Sequence, residues 1–307
     1  MNQAKIKKVV FIILKSVAIM YLTILIAMFF SQEKLLFHPT KTPLTYEYNF
    51  EMPFEEKWTV LEGLKIHSLY FKAPEHKGVI LYFHGNGCNL SQCGFIADQM
   101  TKKTGWDVWI VDYPGYGKSE GQIKSENQLH VIADIVLKEV GELNPKKIVI
   151  YGRSLGTGIA TRLVSKNRTM PFDKAYDITS SSSDLGDVSI NSSSQIIHEL
   201  NSNIILSGLV LETPYFSIED LALSKYPFVP AFLLKYHFKS DQWIKKVESP
   251  ILMFHGSQDQ LIPILQAKRL SQLTKDLTFV EIPEGTHDDL SSYAQYWQSL
   301  MLFLEKI

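Results

Sequence analysis

Cysteine is scarce in this chain, which has only Cys88 and Cys93 among its 307 residues. One close pair cannot form a disulfide framework. If both residues lay on one helix, a spacing of five would place their Cα atoms beyond the range of a disulfide. We therefore expect two small buried thiols, and the cysteine content does not indicate a cellular compartment.

An excess of charge of either sign is also missing, because 31 Lys and Arg residues oppose 32 Asp and Glu residues. No basic excess is present to attract nucleic acid, so we expect no nucleic-acid partner. The sequence also contains neither a zinc-type Cys/His cluster nor a P-loop. What it does contain is 45% hydrophobic residues, in a chain long enough for one large α/β domain with additional segments.

One long hydrophobic run lies near the N-terminus, at residues 9–30. Only Lys15, Ser16 and Thr23 interrupt it. As a helix with a rise of about 1.5 Å per residue it would be about 33 Å long, which matches a hydrocarbon core of about 30 Å. A central Lys costs about 3 kcal/mol on insertion, and the many Val, Ile, Leu and Phe residues offset that cost. We therefore predict a transmembrane helix at 9–30 that anchors the chain in a lipid bilayer.

The lysines before this run predict its orientation. Lys5, Lys7 and Lys8 place residues 1–8 in the cytoplasm by the positive-inside rule, and the rest of the chain on the periplasmic or lumenal side. A cleaved signal peptide is the main alternative. It typically has a shorter apolar region and a pair of small residues at the cut, and residues 26–31 offer no such pair. We favour an uncleaved signal anchor, followed by a linker at residues 31–56.

Strand and helix patterns alternate in the remainder, which we predict to be one domain at residues 57–307. The predicted strands lie at 57–61, 65–72, 79–84, 108–112, 147–152, 204–211, 251–255 and 278–282. The predicted helices lie at 90–104, 128–140, 155–166 and about 290–305. Most of these strands are continuously apolar, as in buried parallel sheets. The pattern therefore predicts a mostly parallel sheet with helices on both faces.

A serine-rich segment at residues 168–203 interrupts the alternation. It has little apolar content. Because such a composition buries too little apolar surface to become ordered, we predict a flexible surface insertion. A regulatory or partner-binding role is the alternative.

The candidate nucleophile is Ser154, in the sequence Gly-Arg-Ser-Leu-Gly at residues 152–156. The G-x-S-x-G pattern alone is a weak signal, but here an apolar strand precedes it directly and a helix follows it directly, as the motif requires. Gly152 and Gly156 leave room for a sharp turn. The positive end of the following helix favours a developing oxyanion.

A serine hydroxyl needs a general base, which should follow it in the chain. The histidines after the nucleophile are His198, His237, His255 and His287. His198 falls in the serine-rich segment, His237 in a predicted helix and His255 at the end of a strand. His287 follows the last predicted strand, in a loop on the same edge of the sheet as Ser154, and is therefore the predicted base.

The acid that orients this base should also follow a strand. Asp259 comes shortly after the strand at 251–255 and is the predicted acid, with Glu212 as the competitor one strand earlier. Asp288 and Asp289 are predicted to cap the last helix.

Two backbone N–H groups should form the oxyanion hole. Leu155 supplies the first, as the residue after the nucleophile. The second should come from the loop at residues 84–87, whose glycines allow close approach to a substrate. Asn86 is the predicted donor and Gly87 the alternative, while His84 is expected to shape the loop by hydrogen bonding.

These motifs together resemble the alpha/beta-hydrolase superfamily, and are most similar to its membrane-anchored, serine-aminopeptidase-like group. The matching segments, in the order of the family, are His84–Gly87, Asp112–Gly117, Gly152–Gly156, Glu212–Pro214, Asp259 with Leu261–Pro263, and Gly285–His287. The resemblance implies the alpha/beta-hydrolase fold and a Ser154–His287–Asp259 triad. It implies no metal and no organic cofactor.

The resemblance also implies a small lid, at residues 213–248. This segment is rich in aromatic residues, which is compatible with an apolar acyl substrate and equally with ordinary packing. The first hypothesis is an esterase, lipase or thioesterase. The second is a peptidase, for which Glu212, Glu219 and Asp220 could bind a substrate amine. The third is a membrane scaffold without catalysis. The sequence indicates no oligomeric state.

Overall fold

A computed structural model describes residues 3–166, 204 and 206–307, so the predicted insertion at 168–203 lies outside the described residues. Eight strands are present there: β1 (Phe54–Leu61), β2 (Leu64–Phe71), β3 (Val79–Phe83), β4 (Asp107–Val111), β5 (Ile148–Arg153), β6 (Leu206–Glu212), β7 (Ile251–Gly256) and β8 (Leu277–Ile282). The helices are α1 (Gln3–Leu36), α2 (Leu90–Thr104), α3 (Glu126–Glu142), α4 (Leu155–Lys166), α5 (Ile218–Lys225), α6 (Ser240–Trp243), α7 (Ile264–Ser271) and α8 (Ala294–Lys306).

The strands form one sheet in the order β1-β2-β4-β3-β5-β6-β7-β8. The pairs β1–β2 and β2–β4 are antiparallel, and all other neighbours are parallel. Every residue of β3 and of β4 is buried, as expected for strands covered on both faces. The predicted alpha/beta-hydrolase fold, with a mostly parallel sheet, is confirmed.

Two apolar layers cover the sheet, because side chains alternate between its faces. On β3, Val79 and Leu81 belong to the layer that contains α3 and α4. The alternate residues Ile80 and Tyr82 belong to the layer that contains α2 and α8. The carboxyl ends of the parallel strands are thereby held at one edge, where the loops after β3, β5, β7 and β8 meet.

Local signals explain where the covering helices begin and end. The Asn89 side chain accepts a hydrogen bond from the Ser91 N–H at the start of α2, and Ser125 caps α3 through the Gln128 N–H. Helix α2 ends at Gly105, whose φ of 73° lies in the left-handed region that glycine adopts without strain.

Helix α1 is longer than the predicted span at 9–30. It continues to Leu36 because Gln32 and Glu33 find hydrogen-bonding partners on the body of the protein. Among the described residues it is the one helix that is long and apolar enough to cross a membrane. Most of its apolar side chains are exposed, which distinguishes it from a core helix.

The expectation of two free thiols is wrong. Cys88 and Cys93 form a disulfide, with their Cα atoms 6.0 Å apart. The two residues do not share a helix, because α2 begins after its N-cap Asn89 and Cys88 lies in the preceding loop. The extended backbone at the N-cap brings the two Cα atoms within disulfide range.

The last helix also begins later than predicted, and neither neighbouring aspartate caps it. A separate turn at Leu290–Ser292 precedes α8, whose N-cap is Tyr293. Asp289 instead accepts the Thr286 N–H at 2.7 Å, inside the loop. Asp288 pairs with Arg153, so both carboxylates bind donors other than the first N–H groups of α8.

Candidate active site

Ser154 stands on a sharp turn between β5 and α4. Its φ of 49° is strained for a residue with a side chain. A Cβ at Gly152 would lie 2.5 Å from the Gly156 carbonyl oxygen, and a Cβ at Gly156 would overlap the Phe83 carbonyl. Only glycine fits at both places. The turn is fixed further by a hydrogen bond from the Ser154 N–H to the Glu212 carbonyl at 2.9 Å.

The structure brings the predicted nucleophile, base and acid into one hydrogen-bonded chain. His287 Nε2 lies 3.0 Å from Ser154 Oγ. On the other side of the ring, His287 Nδ1 lies 2.8 Å from Asp259 Oδ2. Ser154 and Asp259 are buried, while His287 is slightly exposed. A neutral imidazole that donates from Nδ1 to the carboxylate therefore has Nε2 free to accept the serine proton.

Asp259 is held in its charged form. Burial alone would raise the pKa of its carboxyl group, but hydrogen bonds from His255, His287 and the Ile262 N–H outweigh burial and lower the pKa well below the ordinary value. The Leu261 and Ile262 N–H groups donate to Oδ1 at 2.9 and 2.8 Å. Because these N–H groups bind Oδ1, Asp259 Oδ2 is available to the imidazole of His287.

The alternative assignments occupy other positions. His255 is buried, with Nε2 2.9 Å from the Ile262 carbonyl oxygen. His237 lies between the Ala231–Leu233 turn and α6, not in a helix as predicted, because its backbone N–H donates to Glu126 at 2.7 Å instead of to a helical carbonyl. Its side chain pairs with Glu219 at 2.8 Å. His198 lies outside the described residues. Glu212 pairs with Arg153, not with His287.

The loop after β3 passes close to Ser154, as an oxyanion hole requires. A Cβ at Gly85 would lie 3.3 Å from the Ser154 Cβ. The Gly87 N–H donates to the Asn86 side-chain oxygen at 2.9 Å, so it is engaged within the loop. Leu155 opens α4, and the first amide groups of a helix have no partner within the helix. The Leu155 and Asn86 N–H groups thus remain the candidate donors.

Two other polar side chains shape this loop. The Asn86 Oδ1 accepts from the Tyr116 hydroxyl at 2.6 Å, and its Nδ2 donates to the Leu36 carbonyl at 2.7 Å. His84 is fully buried, with Nδ1 2.8 Å from the Gly85 carbonyl oxygen, which matches its expected structural role.

Arg153 is a site residue that the sequence reasoning missed. Its Nε donates to Glu212 at 3.2 Å, and its Nη2 donates to the His287 carbonyl at 3.1 Å and to Asp288 at 2.7 Å. Burial alone would lower the pKa of Arg153, but Glu212 and Asp288 raise it above the usual value, so the guanidinium stays charged. It ties the loop of the predicted base to the turn of the predicted nucleophile. The available signal was a charged residue directly before the predicted nucleophile.

A cavity of about 460 Å³ opens above Ser154. Its walls come from helix α1, from the predicted lid and from the loops that carry Ser154 and His287. The apolar part of the lining comprises Leu25, Met28, Phe29, Leu35, Leu36, Leu155, Ile218, Leu221, Ala222, Val229, Leu233, Leu234, Leu261 and Ile262. The size and composition are typical of a site for a small apolar ligand.

The lid is held to the body at its far end. Glu126 on α3 accepts the N–H groups of His237 and Phe238 at 2.7 and 3.1 Å.

The acidic residues suggested for a peptidase are engaged elsewhere. Asp220 pairs with Arg269, Glu219 pairs with His237, and neither lines the cavity in the described part of the chain.

Comparison with known proteins agrees with this fold. A family model described as the alpha/beta hydrolase fold matches residues 78–202. The alpha/beta-hydrolase-domain protein WAV2 of Arabidopsis thaliana is 26% identical over 306 residues, covering 90% of this chain and 88% of that protein. The lysophosphatidylserine lipase ABHD12 of Danio rerio is 27% identical over 213 residues, covering 64% of this chain and 47% of the lipase.

A solved structure shows the same architecture. The Pyrococcus furiosus esterase Pf2001 superposes with a TM-score of 0.60 at 12% identity, covering 88% of this chain and 97% of the esterase. The sheet order, the matched family model and the similarity to WAV2 along nearly the whole sequence agree that the chain has the alpha/beta-hydrolase fold and is similar to proteins of that superfamily.

Proposed function

We propose that the protein is a serine hydrolase that cleaves an ester, thioester or similar acyl bond through an acyl-enzyme on Ser154. The observation that carries this proposal is the 3.0 Å contact between Ser154 Oγ and His287 Nε2, with Asp259 hydrogen-bonded behind the ring. These three side chains lie at a largely apolar cavity, which Ser154 and His287 help to line. The names of ABHD12, a lipase, and of Pf2001, an esterase, support the same class of chemistry.

In the first half of the reaction, Ser154 Oγ attacks the acyl carbonyl carbon while His287 Nε2 takes the hydroxyl proton. The charge that develops on the carbonyl oxygen is stabilised by the N–H groups of Leu155 and Asn86 and by the positive end of α4. The tetrahedral intermediate then collapses. His287 returns the proton to the leaving alcohol or thiol, and the acyl group remains on Ser154.

In the second half, water occupies the place of the leaving group and loses a proton to His287 as it attacks the acyl carbon. Collapse releases the carboxylic acid and returns the proton to Ser154 Oγ. Asp259 keeps the imidazole in the required tautomer and stabilises the imidazolium at both stages. Because hydrogen bonds keep the pKa of Asp259 low, it remains an anion throughout.

The cavity lining favours an apolar acyl group over a peptide N-terminus. Asp288 is the one carboxylate among the described lining residues, and it pairs with Arg153 at 2.7 Å. A buried substrate ammonium would therefore lack an unpaired carboxylate among the described lining residues, which is costly.

A fluorophosphonate probe tests the proposal directly, because it reacts with an activated serine. We expect labelling of the wild type and none of Ser154→Ala, with Ser224→Ala, an exposed lid serine, as a labelled control. Hydrolysis of p-nitrophenyl acetate, octanoate and palmitate should exceed that of aminoacyl anilides. A folded wild type that resists the probe would favour the non-catalytic scaffold, and faster anilide cleavage would favour the peptidase.

For the membrane, we propose that residues 9–30 cross the bilayer with the N-terminus in the cytoplasm and the hydrolase domain on the opposite side. The apolar helix α1 supports the anchoring, and Lys5, Lys7 and Lys8 support the orientation. The Cys88–Cys93 disulfide is compatible with an oxidising compartment.

A further inference from the structure

Helix α1 is part of the active-site architecture as well as an anchor. Its carboxyl-terminal half packs on the lid through specific hydrogen bonds. The Tyr21 hydroxyl donates to the Phe228 carbonyl at 2.7 Å. The Gln32 side chain donates to the Leu233 carbonyl at 2.7 Å and accepts the Lys235 N–H at 2.8 Å. These bonds fix the lid alongside the helix, at two levels along its axis.

The cavity above Ser154 runs along this helix toward the membrane. Leu25, Met28, Phe29 and Leu36 of α1 line the same cavity as Ser154. From Leu36 to Leu25 the helix rises about 16 Å, at about 1.5 Å per residue. Residues 25–29 belong to the segment predicted to lie inside the bilayer. One end of the cavity is therefore at the nucleophile, and the other is at the level of the hydrocarbon core.

The lid contributes an apolar loop at the same level, defined by residues 226–234. Its sequence, Tyr-Pro-Phe-Val-Pro-Ala-Phe-Leu-Leu, contains no charged residue and lies between Lys225 and Lys235. Phe232 is 83% exposed and Phe228 is 50% exposed. Large exposed apolar side chains in one loop mark an interaction surface. The flanking lysines are bound to the protein, Lys225 to the Leu261 carbonyl at 3.2 Å and Lys235 to Glu33 at 3.0 Å, so the charged residues end where the apolar loop begins.

The contact with Tyr21 sets the depth of this loop. Tyr21 lies about 13 Å along the helix axis from Phe30, on the side toward the bilayer centre. Because the Phe228 carbonyl accepts a hydrogen bond from Tyr21, the loop cannot lie in water while that part of α1 lies in lipid. The partner that fits the exposed surface of the loop is therefore the acyl region of the same leaflet.

We infer that loop 226–234 inserts into the leaflet that surrounds α1, and that substrate reaches Ser154 from the bilayer along the cavity between this loop and α1. The ligand is an acyl lipid resident in the membrane, with its chain along α1 and its carbonyl at Ser154. This inference rests on the proposed serine hydrolase for its substrate, while the insertion of the loop rests on the proposed membrane span of α1 and on the contact between Tyr21 and the Phe228 carbonyl.

The test uses the full chain reconstituted in phosphatidylcholine vesicles. A cysteine introduced by Phe228→Cys and labelled with bimane, without reductant so that the Cys88–Cys93 disulfide stays closed, reports the depth of the loop. The matched control is Leu302→Cys on α8, a residue that is 67% exposed and remote from the lid. We expect lipids brominated on their acyl chains to quench the label at 228 and not at 302. Quenching of both labels by aqueous iodide alone would overturn the insertion, as would shielding of 228 from both quenchers.

Activity is measured in the same vesicles with a fluorogenic palmitate ester dissolved in the lipid and with water-soluble p-nitrophenyl acetate. Phe228→Asp with Phe232→Asp should lower palmitate hydrolysis by about tenfold or more, because charged side chains oppose insertion. Neither residue lines the cavity, so acetate hydrolysis and fluorophosphonate labelling should stay within about twofold, as for Leu302→Asp.

Equal loss on both esters would overturn the membrane route, because it would indicate a structural role for the loop. Absence of wild-type fluorophosphonate labelling would instead count against the serine hydrolase. In that case the bimane depth measurement would still decide whether the loop lies in the leaflet.

Discussion

The side-chain amide of Asn86 donates a hydrogen bond to the carbonyl of Leu36, the last residue of α1, at 2.7 Å. Asn86 thereby satisfies one of the carbonyl groups left unpaired at the end of α1. Its Oδ1 also accepts the His38 N–H at 2.9 Å, just beyond the helix. The loop proposed to bind the oxyanion is thus fastened to the end of the anchor.

Replacing Asn86 by Ala should uncouple these two elements. The backbone N–H at residue 86 remains, but the loop loses its bonds to Leu36, His38 and Tyr116. We expect kcat to fall by about ten- to a hundredfold on short and long esters alike, since the oxyanion donor is displaced. Tyr116→Phe removes one of these bonds and should have a smaller effect. A change in KM alone would contradict the coupling.

Replacing Arg153 by Lys should lower kcat and leave KM nearly unchanged. A lysine keeps the charge beside Glu212 but cannot donate to Glu212, the His287 carbonyl and Asp288 together, so the His287 loop becomes less well positioned. We expect a loss of about ten- to a hundredfold in kcat. Asp288→Asn, which keeps an acceptor for Arg153, is the matched control and should lose less. If kcat fell equally in Arg153→Lys and Asp288→Asn, the charge pair between Arg153 and Asp288, and not the positioning of the His287 loop, would account for the effect.

The low pKa of Asp259 has a consequence for stability as a function of pH. Its pKa in the folded protein lies below the value of about 3.9 for an unfolded chain. The ionised carboxylate therefore stabilises the fold above about pH 4, and this contribution is lost as the pH falls toward the folded-state pKa. In thermal unfolding in detergent, the gap in Tm between wild type and Asp259→Asn should be largest near neutral pH and should narrow in acid. A gap that widens in acid would contradict the assigned direction.

Asp259→Asn should also impair turnover strongly. An asparagine cannot stabilise the imidazolium and favours the wrong tautomer of His287, so we expect kcat to fall by about 10⁴. Asp289→Asn, in the same loop as His287 but bonded only to Thr286 and local groups, is the control and should remain active.

The orientation across the membrane can be tested by access to the cysteine pair and to protease. With the hydrolase domain outside the cytoplasm, Cys88 and Cys93 should react with maleimide only after reduction. In sealed vesicles of known orientation, protease added from the cytoplasmic side should remove no more than the N-terminal residues. Digestion of the hydrolase domain from that side would reverse the proposed topology.

The sequence predicted the elements whose signals are local. The buried strands have apolar runs, and the turn at Ser154 has small residues on both sides, so both were readable from the chain. The order of Ser154, Asp259 and His287 along the chain sufficed to place each at the same edge of the sheet. The distances that the structure gives among them follow from that placement.

What the sequence did not predict depends on contacts distant in the chain. The hydrophobic run ends at Phe30, yet α1 continues because Gln32 binds backbone groups of the lid. Asp288 looked like a helix cap, and its actual partner is Arg153 on another strand. Such pairings exist only once the sheet has formed, so no local pattern signals them.

Because α1 forms one wall of the cavity, proteolytic release of the hydrolase domain from α1 should change its substrate selectivity. A cut in the segment between α1 and β1 would free the hydrolase domain with Ser154, Asp259 and His287 in place. It would also remove Leu25, Met28 and Phe29, which enclose the far end of the cavity. Because the contact between Asn86 and Leu36 is also lost, we expect the released domain to retain only part of its activity on acetate esters. Activity on long acyl chains should fall further, so that shedding would convert a chain-length-selective enzyme into a weaker and less selective one.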